Sequence, residues 1–199
     1  MRIAIIDSGI HAGHPHVGPV AGAVHFSGAD VVDRLGHGTA LAGAIREKAP
    51  HAELYAVKVF DQRLSITIDT LLQALDWCRE NSMDVVNLSL GTSNQDHRAA
   101  LEAAIRGNGV VVSAAAMMPG SLPGVIAVGA DEACPRDRFR YREGVFLASP
   151  FPRPIPGVPP ERNLNGVSFA VANMTGFVAR VLDSRDDLFA ALQRQAEPV

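Results

Sequence analysis

Three side chains whose chemistry fits a shared proton relay, Asp7, His37 and Ser168, stand at junctions between apolar segments of this 199-residue chain. An imidazole can take the proton of a serine hydroxyl, and a carboxylate can hold that imidazole in one tautomer; together they turn a weak nucleophile into an active one. Asp7 follows Ile3-Ala4-Ile5-Ile6 and precedes Ser8-Gly9, so its carboxylate emerges at the carboxyl end of a strand, where open α/β sheets bind their ligands. His37, in Gly36-His37-Gly38-Thr39, opens a helix whose Ala40, Ala42, Gly43 and Ala44 permit close packing. Ser168, in Asn165-Gly166-Val167-Ser168-Phe169-Ala170, also opens a helix, where free N–H groups and the helix dipole favour developing negative charge. Taken singly these are a turn, a loop and an N-cap. Asp, then His, then Ser at successive junctions of one sheet edge is a more specific pattern.

The elements that must position them alternate in period. Apolar, β-branched runs at Ile3 to Ile6, Leu54 to Val59, Asp84 to Leu88, Gly109 to Ser113, Val125 to Val128 and Val145 to Ala148 read as strands. His37 to Lys48, Ile68 to Asn81, His97 to Arg106, Ser168 to Leu182 and Asp186 to Gln195 carry apolar residues at helical spacing. Strand and helix in alternation, with strands apolar on both faces, predict a mainly parallel, doubly wound sheet in a three-layer α/β/α fold, within a single domain covering residues 1–199. Ser149 to Pro160 holds six prolines in twelve residues and reads as a loop or flap, either a rigid wall of a substrate groove or a polyproline ligand.

Composition removes other classes of function. Residues AVILMFWYC make up 47% and charged residues 20%, which excludes a disordered chain, and a net charge of −3 gives no footprint for nucleic acid or an anionic membrane. No apolar run approaches the roughly 20 residues of a spanning helix. The chain opens straight into a strand with no signal-like segment, which predicts a cytoplasmic location. Cys78 and Cys134 read as ordinary thiols. His11, His14, His16 and His25 are close in sequence but are joined by no Cys or carboxylate at ligand spacing, so no metal is expected. Asp7-Ser8-Gly9-Ile10-His11-Ala12-Gly13 is not the glycine pattern of a dinucleotide site, and no cofactor is expected. Asp30 and Asp33 read as solvated.

Ile5-Ile6-Asp7-Ser8-Gly9-Ile10, Gly36-His37-Gly38-Thr39-Ala40-Leu41-Ala42-Gly43 and Gly166-Val167-Ser168-Phe169-Ala170 resemble the three catalytic signatures of subtilisin-like serine proteases. Leu54 to Val59, Val86-Asn87-Leu88-Ser89-Leu90-Gly91 and Gly124 to Ala130 resemble the family's core strands in the same order, so that the similarity spans residues 1 to about 182. The resemblance implies that Ser168 attacks a scissile carbonyl, His37 relays the proton and Asp7 fixes His37. It also implies that the backbone of Ser89, Leu90 and Gly91 pairs with an extended peptide or protein substrate.

The chain departs from the family at the oxyanion hole. Relatives continue the strand at Val110 to Ala116 into Gly-Asn, whose amide donates beside the Ser168 backbone N–H; here the sequence reads Met117-Met118, and Met118 takes the usual Asn position. A thioether donates no hydrogen bond, and losing such a donor costs about 3–4 kcal/mol of transition-state stabilisation. Asn165 and Asn173 are the candidate substitutes. The stretch Ala42 to Leu54 is too short for the calcium-bearing loop of many relatives, and Met118 to Gly124 too short for the usual wall of the first specificity pocket. No inhibitory propeptide precedes Arg2, which predicts folding without one. Two functions follow: an endopeptidase that processes a dedicated peptide or precursor, or an inactive relative that binds peptides or regulates a partner protein.

Overall fold

The computed structural model describes residues 1–182 and 187–198. In chain order its elements are β1 (Arg2–Asp7), β2 (Gly22–His25), α1 (His37–Lys48), β3 (Glu53–Lys58), α2 (Ile68–Glu80), β4 (Val85–Leu88), α3 (Arg98–Arg106), β5 (Val110–Ala114), β6 (Ile126–Ala130), β7 (Phe139–Arg142), β8 (Val145–Ala148), α4 (Val167–Val181) and α5 (Leu188–Gln195). Among the described residues the strands form one sheet in the order β2-β3-β1-β4-β5-β6-β8-β7, parallel throughout except for the β7–β8 pair.

Successive side chains on a strand point to opposite faces, and β1 shows how this builds three layers. Ile3 and Ile5 enter one apolar cluster with Leu41 and Ile45 of α1 and Phe169 and Val178 of α4. Ala4 and Ile6 enter the other, with Leu71 and Leu75 of α2 and Leu101 of α3. A sheet buried on both faces cannot alternate apolar with polar, which is why the strands read as continuous apolar runs. The three-layer α/β/α fold is therefore the one the periodicity predicts.

Two strands have no counterpart in the sequence reading, and both lie at sheet edges. In β2, Gly-Ala-Val-His alternates between half-buried and exposed, and in β7 the run is Phe-Arg-Tyr-Arg. Edge strands bury little and need no apolar run, so a search for apolar runs passes over them. The start of the last predicted helix, at Asp186, lies outside the described residues, and the helix is described from Leu188.

Helix α4 is the central support. Twelve of its fifteen residues are buried, and Gly176 lets it pack closely on α1, where a Cβ at that position would stand 2.7 Å from that of Lys48. Asp7 at the end of β1, His37 at the start of α1 and Ser168 at the start of α4 thus meet at one edge because the elements carrying them pack against one another.

Candidate active site

The carboxylate of Asp7 is fully buried, and its Oδ1 lies 2.8 Å from His37 Nδ1. The same oxygen accepts from the Ser8 backbone N–H at 2.8 Å and from the Ser8 hydroxyl at 3.1 Å, while Oδ2 has no partner among the described residues. A buried carboxylate facing Nδ1 leaves Nε2 as the imidazole's free basic nitrogen. Burial by itself would lower the His37 pKa, but the hydrogen bond and charge of Asp7, with the charge of Asp33, outweigh it and raise the pKa above 6.5. The ring of Phe169 packs against the imidazole with 5.4 Å between centroids.

The first turn of α1 is capped from outside the helix. Its N-cap, Gly36, has no side chain; instead Ser8 Oγ accepts from Gly38 N–H at 2.9 Å, and Asp33 accepts from Thr39 N–H at 3.0 Å and from the Thr39 hydroxyl. Asp33 also accepts from the N–H groups of Leu35 and Gly36. The orphan donors of a helix start are satisfied by the two segments that flank the imidazole, which fixes His37 on both sides. Asp33 therefore holds the helix in place and is not merely solvated, while Asp30 pairs with Arg34. The glycine after the histidine is dictated by this closeness, since a Cβ at Gly38 would lie 2.2 Å from the Gly9 carbonyl oxygen.

Ser168 lies in a cleft of about 330 Å³, which it lines together with His37, Ser89, Leu90, Gly91 and Met117. Its hydroxyl donates to the Ser89 carbonyl oxygen at 3.4 Å, and the Ser89 hydroxyl donates to the Ser168 carbonyl oxygen at 3.2 Å. Ser89 also accepts from Asn87 Nδ2, and Asn87 Oδ1 accepts from the Thr175 hydroxyl at 2.9 Å. A buried polar chain thus ties α4 to the end of β4. The spacing of Asn87 and Thr175, 88 residues apart, gives no hint of it. No side chain caps α4; the Phe169 N–H donates to the Gly166 carbonyl at 3.0 Å, and the Ser168 N–H has no acceptor among the described residues.

The oxyanion candidates separate. Met118 exchanges both backbone hydrogen bonds with Thr92, and its side chain is buried, 2% exposed, in the cluster on the α2–α3 side of the sheet. Met117 is 40% exposed and lines the cleft. The residue that faces the cleft is therefore Met117, one position before the one expected from the family resemblance. Asn173 donates to the carbonyls of Ser149 and Phe151 and is fully buried, which makes it a tie to the proline-rich loop and removes it from the candidate donors. Asn165 is exposed and does not line the cleft.

This architecture, a parallel sheet with a carboxylate, an imidazole and a hydroxyl at its edge, is that of an α/β serine hydrolase. Residues 1–138 match the model of the subtilase family, Peptidase S8. The chain is 30% identical to subtilisin DY of Bacillus licheniformis over 98% of its own length and 81% of the relative's. With subtilisin E of Bacillus subtilis (strain 168) it shares 31% identity over 92% of this chain and 55% of that one. In fold it resembles a cold adapted subtilisin-like serine proteinase, with a TM-score of 0.71 at 20% identity over 96% of this chain and 79% of that one. It likewise resembles a mutant of the protease domain of PatA, with a TM-score of 0.71 at 22% identity over 100% and 82%. The chain belongs to the subtilase family of serine endopeptidases.

Proposed function

We propose that residues 1–199 form one peptidase domain that cleaves a dedicated peptide or precursor through Asp7, His37 and Ser168. The observation that carries this reading is the buried Asp7 carboxylate 2.8 Å from His37 Nδ1, with Ser168 across the same cleft. On substrate binding the Ser168 hydroxyl turns from the Ser89 carbonyl to His37 Nε2, gives up its proton there and attacks the scissile carbonyl. Asp7, fully buried and with one oxygen unpartnered among the described residues, stabilises the imidazolium that forms. The Ser168 N–H and the start of α4 support the oxyanion, His37 protonates the leaving amine, and water then releases the acyl group by the same relay. The Ser89-Leu90-Gly91 backbone guides the acyl side of an extended substrate. A cytoplasmic setting belongs to the proposal and is supported by two buried, unpaired thiols, Cys78 and Cys134, the first with its pKa pushed by burial up to about 12. Among the described residues no helix is long and apolar enough to cross a membrane.

The second reading, a peptide-binding relative without turnover, is favoured by the thioether of Met117 standing in the cleft where an amide donor would help. A serine-directed fluorophosphonate separates the two. A single adduct on Ser168, absent after His37→Ala, is expected for the enzyme; an unlabelled Ser168 in a folded protein selects the binding module.

A further inference from the structure

A second cavity, of about 580 Å³, opens on the other side of the α1 start and shares no lining residue with the cleft of Ser168. Gly36, immediately before His37, and Leu164, four residues before Ser168, belong to its wall. If the acyl half of a substrate lies along Ser89 to Gly91, the segment beyond the scissile bond leaves past His37, which protonates it, and so runs toward this second cavity. The cavity's polar lining is basic: His11, His14, His16, Arg153 and Arg162. Asp33 is its one lining carboxylate among the described residues, and that group is already engaged by Leu35, Gly36 and Thr39. His14 Nδ1 accepts from the His16 N–H, so neutral His14 presents Nε2–H as a donor. Arg153 donates to the His16 carbonyl oxygen, and Arg162, whose backbone N–H donates to the Pro159 carbonyl, is exposed on the cavity wall. Among the described residues no group of three His, Cys, Asp or Glu is placed to hold a metal ion. The remaining walls are apolar and open: Ile155, Val158 and Leu164 are 42%, 37% and 46% exposed, the first two on the proline-rich loop. A bare anion would leave those side chains wet, whereas a peptide segment covers them.

We propose that this cavity receives the leaving-side segment of the substrate and selects one that carries a carboxylate, which Arg153 and Arg162 bind while Ile155, Val158 and Leu164 cover its apolar stem. The assignment rests on the protease reading for its direction, and it gives the proline-rich loop a role as a specificity wall. Proline fixes φ along that wall, so little conformational freedom is lost when peptide docks. The carboxylate has two sources, an Asp or Glu side chain or the chain's own C-terminus.

Digestion of a mixed peptide library, read by mass spectrometry, tests it. Bonds followed within a few residues by a carboxylate should be enriched about tenfold, the effect of one charge-assisted hydrogen bond. Enrichment at internal Asp or Glu identifies the side-chain source, and enrichment confined to bonds near the peptide end identifies the C-terminal one. The preference should collapse in Arg153→Gln/Arg162→Gln and persist in Arg98→Gln, a control on α3. Cleavage with no acidic preference, or a preference unchanged in the double variant, overturns the proposal while leaving the protease intact. Should the protein cleave nothing, Ser168→Ala is titrated with N-acetylglutamate and followed by the imidazole NMR signals of His11, His14 and His16. Saturable shifts that N-acetylglutamine amide does not produce support the pocket as a carboxylate site, and their absence overturns it.

Discussion

The two halves of the catalytic cleft differ in how firmly the chain holds them. On the acid–base side, Asp7 and Phe169 contact the His37 imidazole directly, and Ser8 and Asp33, from two separate segments, cap the start of the helix that carries it. On the oxyanion side, the segment facing Ser168 presents Met117, and neither Asn165 nor Asn173 is placed in the cleft. In the proposed mechanism, proton transfer would therefore be held more closely than charge stabilisation, for which the cleft offers backbone N–H groups and no side-chain amide. The two contributions are separable physically: a fixed base makes a nucleophile, whereas the rate of acyl transfer depends on donors aimed at the developing oxyanion.

The largest effect that could break this contrast is loss of the relay itself. Ser168→Ala or His37→Ala should reduce peptide hydrolysis by about 10⁶-fold, as members of such a unit do, while thermal melting stays near wild type because neither side chain fills the core. Hydrolysis near the wild-type rate in either variant would remove the assignment.

The oxyanion half is sharpened by two neighbouring substitutions with opposite outcomes. Met117→Asn places an amide in the cleft and should raise kcat up to roughly a hundredfold with little change in KM. Met118→Asn puts the same amide into an apolar cluster and should lower stability by about 2–5 kcal/mol, measured by urea unfolding, with no gain in kcat. Equal effects at the two positions would remove Met117 as the residue that faces the cleft.

A smaller effect is expected where Asp33 supports the base. Because His37 acts in its neutral form and its pKa is raised above 6.5, kcat/KM should climb with pH through an acidic limb whose midpoint lies above that value. Asp33→Asn removes one of the charges that raise it and should move the limb to lower pH, with about 1 kcal/mol lost from capping. Folding linkage has the opposite sign to activity: the stability that protonated His37 adds is fully present below 6.5 and is lost as pH rises through its folded pKa. A limb that does not move would detach Asp33 from the base.

The smallest change is expected from a calcium chelator. Only four residues separate the end of α1 at Lys48 from the start of β3 at Glu53, which leaves no room for an ion-binding loop there, and the melting temperature should stay nearly constant. A fall of many degrees would reveal a site elsewhere.

Local sequence was sufficient for whatever depends on neighbours along the chain. The apolar runs marked the buried strands because both faces of the sheet are covered. Helix α1 was readable to the residue, since its small-residue face and flanking glycines are local signals. Asp7, His37 and Ser168 stand out as candidates in the sequence because each sits in a short motif at an element boundary, and those boundaries fall on one sheet edge in this topology. What required the tertiary structure was every relation set by packing across the chain. The cap that Asp33 gives α1, the Thr175–Asn87–Ser89 tie, the exchange of Met117 for Met118 at the cleft and the basic cavity behind His37 all join segments distant in sequence. A local pattern fixes which face of a strand is apolar, but which donor meets which acceptor depends on distances that exist only once the layers have closed.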